Sequence, residues 1–170
     1  MIMRITTRLG KKIGVVPTLV LPAAPNPFTD WTAHLFTASR AQYIILTNTT
    51  SLYSMVMYGA GITDDCTFLK RATSYMGEFI RDDGHEFIFE RLVAPSTATV
   101  TFSRALNRSV TGSMNDLVFQ AKLMLTEREV SPWEVSFELN KTPLSYLNYS
   151  NPRETFSSTK MRGQNLGQGF

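Results

Sequence analysis

Cysteine is almost missing from this chain of 170 residues. Cys66 stands alone, so no intrachain disulfide can form and a reducing compartment is the expected setting. Long hydrophobic runs are missing too: nothing approaches the ~20 consecutive apolar residues of a membrane-spanning helix. The opening residues place Arg4, Arg8, Lys11 and Lys12 where a secretion signal needs an unbroken apolar stretch. The expectation is a cytoplasmic protein with no membrane association. Charge is sparse, at 18% of residues against about a quarter in an average domain. The two histidines, His34 and His85, and Cys66 are the only soft metal ligands, and they lack metal-site spacing. No metal and no cofactor is expected. A P-loop is excluded because no Gly-Lys-Ser or Gly-Lys-Thr occurs. Gly59-Ala60-Gly61 lacks the third glycine of a dinucleotide turn, and Asp64 and Asp65 would put carboxylates where a pyrophosphate must sit.

What is present is enough to build a core. Hydrophobic residues make up 43% and aromatic residues 11%, which excludes global disorder and fits one domain. The net charge of +3 is too small to argue nucleic-acid binding from composition. Its distribution says more. No acid precedes Asp30, whereas Asp64, Asp65, Glu78, Asp82, Asp83, Glu86 and Glu90 are half of all the acids. A basic edge and an acidic helical face would orient a charged partner.

Periodicity sets the expected elements. A short strand over 1–6 and one or two helical turns over 7–13 precede a stretch with Pro17, Pro22, Pro25 and Pro27, which excludes regular structure there. Strand-like segments at 31–36, 41–46 and 52–57 are joined by short polar links, which predicts an antiparallel meander. Asp64 or Asp65 caps a helix carrying Phe68, Leu69, Ala72, Met76, Phe79 and Ile80 at a 3.6 period, closed by Asp82-Asp83-Gly84. A short helix over 85–93 and a strand over 97–102 follow, then a helix with Leu117, Val118, Ala121 and Leu125 on one face. Ser131 and Pro132 start a last helix. The sum is an α+β domain over 1–156, with an antiparallel sheet of four to five strands and helices packed on one face, followed by a disordered polar tail over 157–170.

Two polar segments could carry chemistry. Between a strand and a helix, residues 106–116 hold Asn107, Arg108, Ser109, Ser113, Asn115 and Asp116, with Arg104 just before. Free backbone N–H groups at a helix start bind anions. The commoner reading is structural: Ser113 and Asp116 have capping-box spacing, and Asn107 suits a turn. The second segment, 139–149, holds Asn140, Lys141 and Thr142 before a Tyr146, Asn148, Tyr149 run that could stack on bases. The N-x-S/T sequences at Asn48, Asn107, Asn140 and Asn148 read as turns and caps. The acids Asp82, Asp83, Glu86 and Glu90 read as a solvated helix face.

Residues 108–117 (RSVTGSMNDL) and 139–149 (LNKTPLSYLNY) occur with 35–57 and the opening MIMRITTRLGKKIG in one order. Together they resemble a family of uncharacterised small bacterial proteins, one of the domains of unknown function. The resemblance spans nearly the whole chain. It implies one compact domain of bacterial, phage or plasmid origin, and it transfers no catalytic residue.

The leading functional expectation is a non-enzymatic binding module for a macromolecule, either nucleic acid or protein. Its surface would join Arg104, Arg108, Ser109, Lys141 and Thr142 to the basic N-terminal edge. The alternative is a small hydrolase or transferase, which needs Arg108, Ser109, Asp116, Asn140 and a histidine in one pocket. A third possibility is a homo-oligomer that leaves Tyr43, Ile45, Tyr53 and Met57 on an open sheet face.

Overall fold

Alternation along one strand decides the layering. In the computed structural model, which describes residues 1–161, β2 (Asp30–Ala38) sends Trp31, Ala33 and Leu35 into one apolar cluster and Phe36 and Ala38 into another. A strand buried on both faces needs cover on both. It sits in a five-stranded sheet with β1 (Ile2–Ile5), β3 (Ala41–Asn48), β4 (Ser54–Tyr58) and β5 (Thr101–Ser103), in the order β4–β3–β2–β1–β5. The meander is there: β2, β3 and β4 pair antiparallel.

β1, however, runs parallel to both β2 and β5, so the sheet is mixed and not purely antiparallel. The reason lies in residues 6–29, a connection long enough to carry the chain back before it re-enters the sheet in the same direction. The helices correct the expectation as well, because they cover both faces. α1 (Thr7–Ile13) and α2 (Asp65–Asp82) pack Leu9, Ile13, Phe68, Met76 and Phe79 on one face. α4 (Arg108–Glu127) packs Val110, Met114, Leu117 and Ala121 on the other. Between α2 and β5 lies a short α3 (Glu86–Ile88) that continues as a π turn to Val93.

α4 begins earlier than the capping-box reading placed it. Its cap is Asn107, whose Oδ1 accepts the Val110 N–H at 2.9 Å. Ser113 therefore lies inside the helix, donating its hydroxyl to Ser109 O at 3.0 Å. α5 (Pro132–Lys141) has the capping box at Ser131 and Glu134. α6 (Pro152–Ser158) carries Phe156, whose ring stacks on Tyr53 with centroids 4.3 Å apart. α6 spans the expected boundary at 156; residues 162–170 of the expected tail lie outside the described residues.

Candidate functional site

The parallel pair β1/β5 creates a topological switch point. The chain leaving β1 enters α1 on one face, and the chain leaving β5 enters α4 on the other. Beyond the carboxyl ends of such a pair, the diverging connections leave a crevice, the usual ligand position in open sheets with parallel strands. A cavity of ≈ 730 Å³ lies there, bounded by Ile5, Thr6 and Thr7 on one side and Arg104 and Ala105 on the other.

Its outer wall is residues 15–20, held at both ends. At one end Gly14, in the left-handed region at φ 72°, turns the chain off α1, and Val15 N–H donates to Gly10 O at 2.9 Å. Gly10 permits that approach, since a Cβ there would stand 2.4 Å from Val15 O. At the other end Arg4 extends from β1, fully buried, and donates twice to Asp30, Nε to Oδ1 and Nη2 to Oδ2, both at 2.8 Å. Its Nη1 donates to Leu21 O at 2.8 Å and its Nη2 to Pro22 O at 3.1 Å. Arg104 N–H donates to Leu19 O at 3.0 Å. Between these ties Val16 and Leu19 stay 83% and 69% exposed.

The lining is aliphatic apart from three threonines and two cations, Lys11 and Arg104. No carboxylate lines it, and neither cation has a side-chain partner among the described residues. The Thr6 hydroxyl is 3.1 Å from His34 Nδ1. Burial pushes the His34 imidazole below its ordinary value, and the positive charges of Arg8 and Lys122 push it in the same direction. The end of the sheet is thus electropositive on both sides of the crevice.

The residues singled out in the sequence scatter. Arg104 lines the crevice. Asn107 caps α4 beside a smaller cavity of ≈ 160 Å³ that Asp30 and Tyr146 also line. Arg108, Ser109, Asn115 and Asp116 are exposed along α4, and Ser113 is spent on its own helix. Asn140 is buried in α5 against β4, where its Oδ1 accepts the Ser54 N–H at 2.8 Å and its Nδ2 donates to Ser54 O at 2.7 Å. Lys141 pairs with Glu138 at 3.1 Å, and Thr142 donates to Glu138 O. Neither cavity is lined by Arg108, Ser109, Asp116, Asn140 or a histidine, so the set required by the enzyme alternative is not assembled in them. Tyr43, Ile45, Tyr53 and Met57 are all buried, which removes the open sheet face of the oligomer alternative.

One polar cluster escaped the sequence reading. Asp83 is not part of a solvated face: its Oδ2 accepts from the Tyr53 hydroxyl at 2.7 Å, and its Oδ1 accepts from Arg153 Nε at 2.9 Å. His85 Nε2 lies 3.5 Å from Asp83 Oδ2. Burial alone would raise the Asp83 carboxyl, but the nearby His85 imidazole and the hydrogen bonds from Tyr53 and Arg153 hold it below the usual range. None of these side chains lines either cavity, so the cluster ties the residue before β4 and the residue after α2 to α6. Asp64, Asp65 and Cys66 group at the α2 start, where Asp64 accepts from Thr67 N–H and Asp65 from Cys66 N–H. No helix among the described residues is long and apolar enough to cross a membrane.

No curated protein and no solved structure matches the chain. A family model described as "Domain of unknown function (DUF6933)" matches residues 2–155, nearly the whole length, and the chain belongs to that family.

Proposed function

We propose that this is a non-enzymatic binding domain whose partner is an acidic protein surface docking on the electropositive end of the sheet. The observation that carries the reading is that cations from separate elements stand at this end of the sheet: Lys11 and Arg104 line the crevice, and Arg8 and Lys122 act on His34, which contacts Thr6 of the lining. Arg8 and Lys11 come from α1, Arg104 from the end of β5 and Lys122 from α4. A one-signed rim steers an oppositely charged partner and sets its orientation. Protein is favoured over nucleic acid by what stands beside the cations: the exposed side chains of Val16, Leu19 and Val20 are aliphatic and offer no ring for a base to stack on. The exposed Tyr146 and Tyr149 belong to the α5–α6 connection, away from the crevice lining. A cytoplasmic setting in a bacterium or its mobile elements is part of this reading.

The test is retention from nuclease-treated bacterial lysate on immobilised wild type and on an Arg8→Glu/Lys122→Glu variant. The expected result is a protein that wild type holds, that elutes as salt rises and that the variant loses. Once purified, that protein should bind wild type at least tenfold more tightly than the variant. Retention abolished by nuclease would assign nucleic acid instead, and retention indifferent to the charge reversal would remove this rim as the interface.

A further inference from the structure

The crevice has a chemistry of its own, separable from the partner surface. Three observations define it. Its walls are mostly hydrocarbon, with Ile5 as floor and Val15, Val16 and Val20 as outer wall. Two cations, Lys11 and Arg104, enter the same space from α1 and from the end of β5, and no acid lines it to neutralise them. Its ≈ 730 Å³ lies within the ~300–1,000 Å³ range of small-ligand pockets, and its position is the one where open sheets bind ligands.

We infer that this crevice is a small-molecule site for an aliphatic monoanion, a carboxylate on a hydrocarbon body. Each part of the ligand answers a part of the wall. Arg104 offers a planar fork that a carboxylate matches with two parallel hydrogen bonds, and Lys11 adds a point charge. The Thr7 and Thr18 side chains supply hydroxyl donors without adding charge. The valines give a flexible chain something to bury against, and the ligand in turn covers Val16, which otherwise stands 83% exposed. A polyphosphate fits less well, since only two cations face the cavity and the wall is aliphatic.

The experiment uses the full chain with straight-chain carboxylates from butanoate to decanoate below their micellar concentrations. Binding is read from amide shifts of Thr6, Thr18 and Ala105. Affinity should rise by roughly fourfold per added CH₂, the amount that burying each methylene predicts, until the crevice is full. Octanoate should bind at least tenfold more tightly than octanol, and Lys11→Gln/Arg104→Gln should abolish that preference while leaving the melting temperature unchanged. Ala105→Trp, which fills the space, should weaken every member of the series.

The inference is overturned by affinity that is flat with chain length, by octanol binding as well as octanoate, or by shifts that miss Thr18 and Ala105. Octyl phosphate binding more than tenfold tighter than octanoate would overturn the head-group assignment. The wild-type comparison of acid with alcohol needs no variant, so it decides the matter even if a substitution damages the fold. Arg8 and Lys122 do not line the crevice, so Arg8→Glu/Lys122→Glu should change octanoate affinity less than threefold. Failure of the partner reading and failure of this one are therefore distinguishable.

Discussion

Arg4 is the residue on which the crevice depends most. A guanidinium with no solvent exposure is tolerable only when its donors are all answered, and here they reach Asp30, Leu21 O, Pro22 O and Ser103 Oγ. Asp30 in turn accepts the Ala24 N–H at 3.0 Å, so one ion pair holds residues 21–24 of the proline-rich segment to the sheet. Asp30→Asn keeps the shape and removes the charge, leaving Arg4 buried and uncompensated. The expected cost is about 3–5 kcal/mol of stability by urea denaturation. In the fraction that stays folded, amide exchange should quicken across residues 18–24 before it does in β3. Protection of that segment equal to wild type would mean the loop is held by something else. Gly10 acts at the opposite end of the same wall. Gly10→Ala would place a Cβ 2.4 Å from Val15 O, so the first turn after α1 must move. The amide shifts expected from this reach Val15 and Thr18 and leave the α4 face alone.

At the scale of elements, β4 shows how a sheet edge is closed without another strand. Its outward backbone groups are met by side chains: Asn140 takes both the N–H and the carbonyl of Ser54, Ser136 Oγ accepts the Val56 N–H at 2.8 Å, and the Tyr75 hydroxyl donates to Val56 O. α5 lies along the strand as a row of polar plugs, which removes an open edge that would otherwise pair with another chain. Asn140→Ala leaves the Ser54 groups buried without partners, and the loss should be about 1–3 kcal/mol per orphaned group. Asn140→Asp restores only the acceptor and should recover less than half of the loss. A denaturation midpoint unchanged in Asn140→Ala would refute the plug.

This role explains why Asn140 looked like a site in the sequence: a polar residue at the end of an amphipathic helix has no local signature of being buried. Elements with local causes were legible, including an acidic cap at Asp64 or Asp65, the helix start at Ser131 and Pro132, and the alternation in β2. The parallel placement of β1 was not, because pairing partners 28 and 99 residues apart leave no trace in periodicity. The start of α4 was misplaced by six residues for a related reason, since Asn107 and Ser113 both have cap chemistry and only packing of Val110 and Met114 chooses between them.

For the whole molecule, charge is organised along the fold, and that organisation was half visible. The acid-free first 29 residues do form part of an electropositive end, but its completion by Lys122 needed α4 to cross the sheet above β2. The acidic run between 64 and 90 is less uniform than it read, because Asp83 turns inward to Tyr53 and Arg153. These placements predict how stability follows pH. His34 is held below its ordinary value by burial and by the cations near it, so the unfolded chain takes up that proton before the native state does. Stability must therefore fall as pH drops below ~6.5, the unperturbed imidazole value, and stop falling once native His34 is also protonated. Asp83 is held low by its donors, so the native state keeps its carboxylate while the unfolded chain protonates near ~3.9. Its contribution is complete at neutral pH and is lost as pH falls from there through the lower native value. Urea midpoints should thus decline between pH 7.5 and 5.5 and again below pH 4. His34→Gln should lessen the first decline, which the Met1 amino group, also held low by burial, shares. Asp83→Asn should lessen the second, which Asp64 and Glu134 share, and lower the midpoint at pH 7. A wild-type midpoint level from pH 7.5 to 5.5 would show that neither burial nor the cations hold His34 low, and the part of the electropositive rim read from Arg8 and Lys122 would go with it.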